Sequence, residues 1–363
     1  MLRILARLLA VAFAAVFVVC AAAGVFLRVA ASRLTQPQVY KDALAKERFY
    51  DRIPAIAAEV TARVLQNGDR MRGVRNDPTE ESAAGLLLQF TPADRETLFG
   101  AVLPPSYVRQ QTDQALDQLF DWLHSTAAVP TVTISLGELK QKMTSPATEE
   151  AYLRILRTKP PCTTSELRAD GGLPVGCCPS PEDLPQVQQG FHMVMEQAAG
   201  QIPETMDLCK VLGENSATDA ATRMLTEVRT PLVELEWAAW WSLGVPAVLL
   251  VLIAALAVRS VRGWMLWWGI PSLIAGSAGV ALALSAGPVA NWINACCVLP
   301  NIPVDASAAQ IEPLTGVVRF VVQSVMDAAL RSAGVLALAG LAAVILGLVI
   351  GAPSKTAEVA KSK

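Results

Sequence analysis

The run WAAWWSLGVPAVLLVLIAALAV (Trp237–Val258), the basic link RSVRG (Arg259–Gly263) and the run WMLWWGIPSLIAGSAGVALALSAGPV (Trp264–Val289) decide the fold of this chain. Neither long run carries a charge, and each can cross a bilayer as a helix, which takes about 20 residues. Only a helix satisfies its own backbone in lipid. Residues 237–289 therefore read as a transmembrane hairpin, with Arg259 and Arg262 in a cytoplasmic turn.

Working outward, residues 1–28 place Arg3 and Arg7 before an uncharged stretch from Leu8 to Leu27. Basic residues ahead of an apolar span favour a cytoplasmic N-terminus, and the apolar core is longer than that of a signal peptide. An uncleaved anchor is expected, with a cleaved signal peptide as the rival. Residues 333–351 form the last span, and the tail 352–363 returns Lys355, Lys361 and Lys363 to the cytoplasm. Seven of the eight tryptophans (Trp237, Trp240, Trp241, Trp264, Trp267, Trp268 and Trp292) sit at span ends, where the indole ring prefers the interface. The fold class expected is an all-α membrane protein with four transmembrane helices, both termini inside.

Composition agrees. The 363 residues are 53% hydrophobic and only 17% charged, below the 25% or so of an average soluble domain. A net charge of -2 excludes a nucleic-acid role, which needs a concentrated basic face. Of the 32 acidic residues only Glu358 lies outside residues 29–236 and 290–332, so these two segments read as extracytoplasmic. The larger is long enough for a domain of its own and mainly helical. Ile53, Ile56, Val60 and Val64 recur at helical spacing, as do Val108, Leu116, Leu119, Phe120 and Leu123. Thr91-Pro92-Ala93-Asp94 offers a capping hydroxyl, a first-position proline and a first-turn acid. Thr131–Ser135 alternates as a strand, without an evident partner, and Asn67–Glu81 reads as a polar loop. In 290–332, Leu314, Val317, Val318, Val321, Val325 and Ala328 make an amphipathic stripe leading into the last span.

On this topology Cys20 lies in the membrane and six cysteines lie outside: Cys162, Cys177, Cys178, Cys209, Cys296 and Cys297. An even number on the oxidising side predicts a disulfide-stapled domain with three bridges, whose pairing is not fixed by sequence. Neighbouring cysteines are expected to take separate partners, and the division of four and two suggests a bridge between the segments. No metal site is expected, because Cys-x-x-Cys pairs are absent and the two histidines, His124 and His192, are remote in sequence.

Motifs for chemistry are sparse. Glu149-Glu150-x-x-x-Arg154 matches a pattern of one class of intramembrane metalloproteases, but in a soluble helix without histidines it reads as a solvated charged face. The sequence holds no Gly-x-Ser-x-Gly, no phosphate-binding glycine loop and no His-Glu-x-x-His. The spans carry no charge of the kind that marks an ion pathway. They do carry small residues at helical spacing: Ala275, Gly279, Ala283 and Gly287 on one, and Ala339, Ala343, Gly347 and Gly351 on the other. Such faces let helices approach closely, either within the chain or against a partner.

No catalytic residue, cofactor or metal is assigned from the sequence. The expectation is a non-catalytic integral membrane protein of the plasma membrane, its extracytoplasmic domain binding another protein or an envelope component. The absence of any Asn-x-Ser/Thr sequon fits a bacterial inner membrane. The expected partners are membrane lipids and a protein, either a different chain or a second copy. The alternatives are a membrane-anchored extracytoplasmic enzyme, marked by a deep pocket with facing acids, and a lipid or small-molecule passage, marked by a continuous cavity between the spans.

Overall fold

The structure is a computed structural model that describes residues 2–72, 87, 89–127, 130–163, 173–208, 217–257, 260–301 and 308–350. Cys209, Gly351, the tail from 352 and most of the expected loop 67–81 lie outside these residues.

The elements run α1 (Leu2–Leu34), α2 (Pro37–Lys46), α3 (Phe49–Arg72), α4 (Pro92–Val102), α5 (Pro105–His124), β1 (Thr133–Ser135), α6 (Gly137–Met143), α7 (Pro146–Leu156), α8 (Leu184–Gln201), β2 (Thr205–Asp207), α9 (Ala217–Ala257), α10 (Val261–Ala283), α11 (Ala286–Ile293) and α12 (Ala308–Ile350). The chain divides into two compact units. One comprises Met1–Ala43, Met224–Ala306 and Leu314–Lys363; the other comprises Leu44–Arg223 and Ser307–Pro313.

The first unit is the bundle. Parts of α1, α9, α10 and α12 are each long and apolar enough to cross a membrane: Leu8–Leu34, Arg229–Leu256, Val261–Ala283 and Ile311–Ile350. All four meet in one cluster of Phe17 and Ala21, Ile253, Ala275 and Leu336. A close contact joins α10 to α12. A Cβ added at Gly276 would overlap the backbone of Ala337, and one at Gly340 would lie 2.5 Å from the backbone nitrogen of Leu273. In lipid, helices gain little by hiding apolar area from each other, so association rests on such close packing of small residues.

Two features depart from the simplest hairpin. Ser260 caps α10, its hydroxyl accepting from the Gly263 backbone N–H at 3.1 Å, so the helix begins inside the expected link. The run to Val289 is also not one helix. It breaks at Leu284 and Ser285, and α11 starts at Ala286. Pro288 explains the break: it lacks an N–H and fits the first turn of a helix rather than its interior. A wide π turn, Asn294–Val298, then carries Cys296 and Cys297.

The second unit is built around Tyr152. Its ring stacks on Phe191 at 4.3 Å between centroids, meets Phe90 edge-on at 6.2 Å, and its hydroxyl donates to the carbonyl of Pro174 at 2.8 Å. Leu98, Leu156, Leu173, Val187 and Met195 complete this core. A second cluster gathers Tyr50, Tyr107 and Val108 with Ile53, Leu103 and Leu139.

Local chemistry sets the ends of these helices. Thr91 caps α4 in a capping box with Asp94, following Pro92 at the first position. Asp94 also takes a 2.7 Å ion pair from Lys159 that is largely shielded from solvent. Burial opposes ionisation of Asp94, but the bonds from Lys159 and Thr91 outweigh it and hold the carboxyl below its ordinary range. The strand at Thr133–Ser135 has a partner after all, antiparallel β2, with Ile134 opposite Met206. In α3 the expected apolar stripe is only partly covered: Ile53 and Ile56 are half-buried, Ile53 against the Tyr50 cluster. Ala58 and Ala62 are buried while Val60 is 44% exposed, because small side chains let α4 and α5 approach. The same helix continues through Arg72, so residues 67–72 of the expected polar loop are helical.

Candidate functional site

The sequence-derived site residues fall into three groups. Cys162 and Cys177 form a disulfide, with Cα atoms 4.8 Å apart. Backbone bonds beside it, Cys162 N–H to Cys178 C=O at 2.9 Å and Cys178 N–H to Pro160 C=O at 2.7 Å, clip the two segments together. Cys178 keeps a thiol. Cys296 and Cys297 are both exposed, their sulfurs 2.8 Å apart. That is longer than a disulfide bond, which is about 2.0 Å. Their mutual hydrogen bond raises the Cys296 thiol above its ordinary value.

The second group is the small-residue lines. Ala275, Gly279 and Ala283 are buried on α10, with Gly279 facing Ala333, whereas Gly287 has open space around it. On α12, Gly347 lies against Met265 and Leu266, but Ala339 is exposed. Ala333, Ala337, Gly340, Val344 and Gly347 of α12 lie against α10, a stripe that shares Gly347 with the expected line but passes beside Ala339 and Ala343.

The third group is the histidines and the Glu-Glu-x-x-x-Arg motif. His124 ends α5 with Nδ1 2.8 Å from the Phe120 carbonyl oxygen, and His192 is exposed on α8. Arg154 pairs with Glu150 at 3.5 Å with both side chains about two-thirds exposed, and Glu149 accepts from Gln188 at 2.7 Å. Among the described residues no three His, Cys, Asp or Glu side chains converge to hold a metal ion.

The site that sequence reasoning missed lies in the second unit, between the α2–α3 turn and α5. It is a cleft of about 690 Å³, within the usual size of a ligand site but far more polar than most. Ala45, Arg48, Tyr50 and Asp51 supply one wall. The other is a helical stripe of α5: Ser106, Arg109, Gln110, Asp113, Gln114 and Asp117.

Two local features shape it. Arg48 has φ 50°, the sole non-glycine residue with positive φ among those described. That left-handed conformation costs an ordinary residue about 1–2 kcal/mol, and glycine would adopt it freely. Arg48 N–H bonds Ala45 C=O, and Asp51 N–H bonds Arg48 C=O, each at 3.2 Å, so the turn that sets α3 against α5 is closed around it. On the floor, the hydroxyl of Tyr50 donates to Asp113 Oδ1 at 3.1 Å. Burial, reinforced by the negative charge of Asp113 and that bond, pushes the Tyr50 hydroxyl up to about 12. Arg109 lies 3.8 Å from Asp113 on the same helix. The result is a mixed-charge cleft with a neutral, hydrogen-bonding tyrosine between two guanidinium groups and three carboxylates.

In the bundle, a groove of about 530 Å³ runs between α1 and α10, lined by apolar side chains from Val11 to Val18 and from Leu266 to Ile274. Seven residues of rise is about 10 Å of helix, against a hydrocarbon core of about 30 Å. The groove does not traverse the bundle.

Comparison of the chain with protein-family models, with curated proteins and with solved structures gives no match.

Proposed function

We propose that this chain is a multi-pass membrane protein, with both termini cytoplasmic, whose second unit is extracytoplasmic and binds a polar segment of another protein or of the envelope. The cleft carries this reading. Its guanidinium groups and carboxylates, on walls from two different elements, suit a ligand that presents both charges and hydrogen-bonding groups, as a peptide does. Exposed carboxylates such as Asp51 and Asp117 are suited to pair with the cationic groups of such a ligand. The Cys162–Cys177 bridge supports the sidedness, since disulfides persist in oxidising compartments. The near absence of acidic residues outside 29–236 and 290–332 supports it as well.

A photo-crosslinking amino acid at Gln110, in the full chain in its native membrane, tests this. One discrete adduct is expected at Gln110, none at His124 on the far end of α5, and loss of the adduct when Arg48→Glu and Arg109→Glu are combined. An adduct insensitive to both charge reversals would reject the cleft. Labelling of Cys178 by a membrane-impermeant maleimide only after cell lysis would reject the sidedness.

A second reading, an extracytoplasmic enzyme, is favoured by one observation: Asp51 and the pair Asp113 and Asp117 come from different walls of the same cleft. Under it, Asp51→Asn and Asp113→Asn would trap substrate and raise the crosslinked yield. Under the binding reading they lower it.

A further inference from the structure

The two cores of the second unit do not merge. Where they meet lies a cavity of about 280 Å³, separate from the polar cleft. Leu98 and Met195 of the Tyr152 core line one side, and Leu103 and Leu139 of the Tyr50 cluster line the other. Met143 completes the wall, and Thr61 is the one polar residue in the lining. The space is open on one side: only Leu98 and Met195 of its lining are fully buried, and the other lining residues are partly exposed. It leaves apolar surface uncovered between two packed clusters, which an apolar occupant would shield from water.

We infer that this cavity binds a single unbranched hydrocarbon chain, the acyl tail of a lipid. One hydroxyl cannot repay the desolvation of a polar ligand, so the occupant is apolar. At roughly 30 Å³ for each water-sized group, the cavity holds about nine methylenes. A helix, about 10–12 Å across with its side chains, is too thick for it, which removes a helical segment of a partner or of a second copy. Met143 and Met195, unbranched and soft, suit walls that must fit a flexible chain. Phe99, Val102 and Ile202 of the lining are only partly buried, which gives the chain a way in. The four apolar spans of the same polypeptide keep lipid at hand. This inference is independent of the cleft.

The test uses the full chain in nanodiscs of diphytanoyl phosphatidylcholine, whose methyl-branched tails are too bulky to compete. The probe is decanoic acid carrying a diazirine near its tail end, photolysed and mapped by mass spectrometry. Adducts are expected on the peptides that hold Leu98–Leu103, Leu139–Met143 and Met195. Unlabelled fatty acids from six to ten carbons are expected to compete about fourfold better per methylene, the change for burying one CH2, and to level off beyond. Leu139→Trp, which fills the space, is expected to cut labelling at least tenfold; Met143→Trp does the same if the first variant fails to fold, as judged by loss of the Cys162–Cys177 bridge. Labelling confined to the bundle, competition indifferent to chain length, or cavity adducts that persist in a folded filling variant would each overturn the assignment.

Discussion

Where α10 meets α12 in the bundle, the closest approaches are at Gly269, Gly276, Gly279 and Gly340, against Ala333, Ala337 and the backbone of Leu273 and Val344. Around Tyr152 in the other unit the contacting residues are Phe90, Phe191, Leu156 and Met195. The first brings backbones close together and the second is made of large side chains. Water drives large apolar groups together, and each fully buried one contributes about 1.5–3 kcal/mol. Between helices in lipid that drive is missing, and what remains is how closely two backbones can approach. The same chain therefore lines the close α10–α12 contact with small residues, while larger side chains such as Phe17, Ile253 and Leu336 fill the cluster where the four helices meet.

That contrast can be broken from either side. The largest effect is expected at Tyr152→Ala, which removes a stacked ring and its hydrogen bond to Pro174. A loss of about 4 kcal/mol is expected, as for aromatic truncation in a core, measured by denaturant unfolding of the full chain. In the bundle the damaging change is an enlargement. Gly276→Leu forces a side chain into the backbone of Ala337 and is expected to cost about 3 kcal/mol, read as a lower resistance to SDS unfolding. Gly287→Leu, with open space around it, is expected to cost nothing measurable.

Charge sharpens the same comparison. In the helical unit Asp94 accepts from Lys159 while capping α4. Asp94→Asn is expected to lose about 2 kcal/mol, the scale of a hydrogen bond to a charged group. Because folding lowers the pKa of Asp94, its stabilisation is fully present above the ordinary aspartate value of about 3.9 and fades as pH falls below it. Unfolding midpoints from pH 7 to pH 3 should drop more steeply in the wild type than in Asp94→Asn.

One change is a gain. Arg48→Gly relieves the left-handed turn and is expected to stabilise the helical unit by about 1 kcal/mol, while abolishing the crosslink at Gln110. A stability gain with binding intact would show that Arg48 is held there for neither the turn nor the ligand.

The spans were legible because charge-free runs of that length have one economical explanation, and the α4 cap because Thr-Pro-Ala-Asp encodes it locally. The division at Ser285 was hidden by the absence of charge, although Pro288 signals it. β2 escaped notice because Thr205-Met206-Asp207 has too few residues to alternate. On α12 several alanine stripes look equivalent in sequence, and only contact with Gly276 and Gly269 selects the one through Ala337 and Gly340. The cleft was not legible at all. The stripe from Ser106 to Asp117 reads as a solvated helix face, and it becomes a wall only because a strained turn at Arg48 brings α3 beside it.

The bridge between Cys162 and Cys177 makes residues 163–176 a closed ring with a single trypsin site, Arg168. One cut there would sever the polypeptide without separating its two pieces. They would migrate together on a gel until a reductant was added, so a protease and a thiol reagent report on the integrity of this ring without any assay of function.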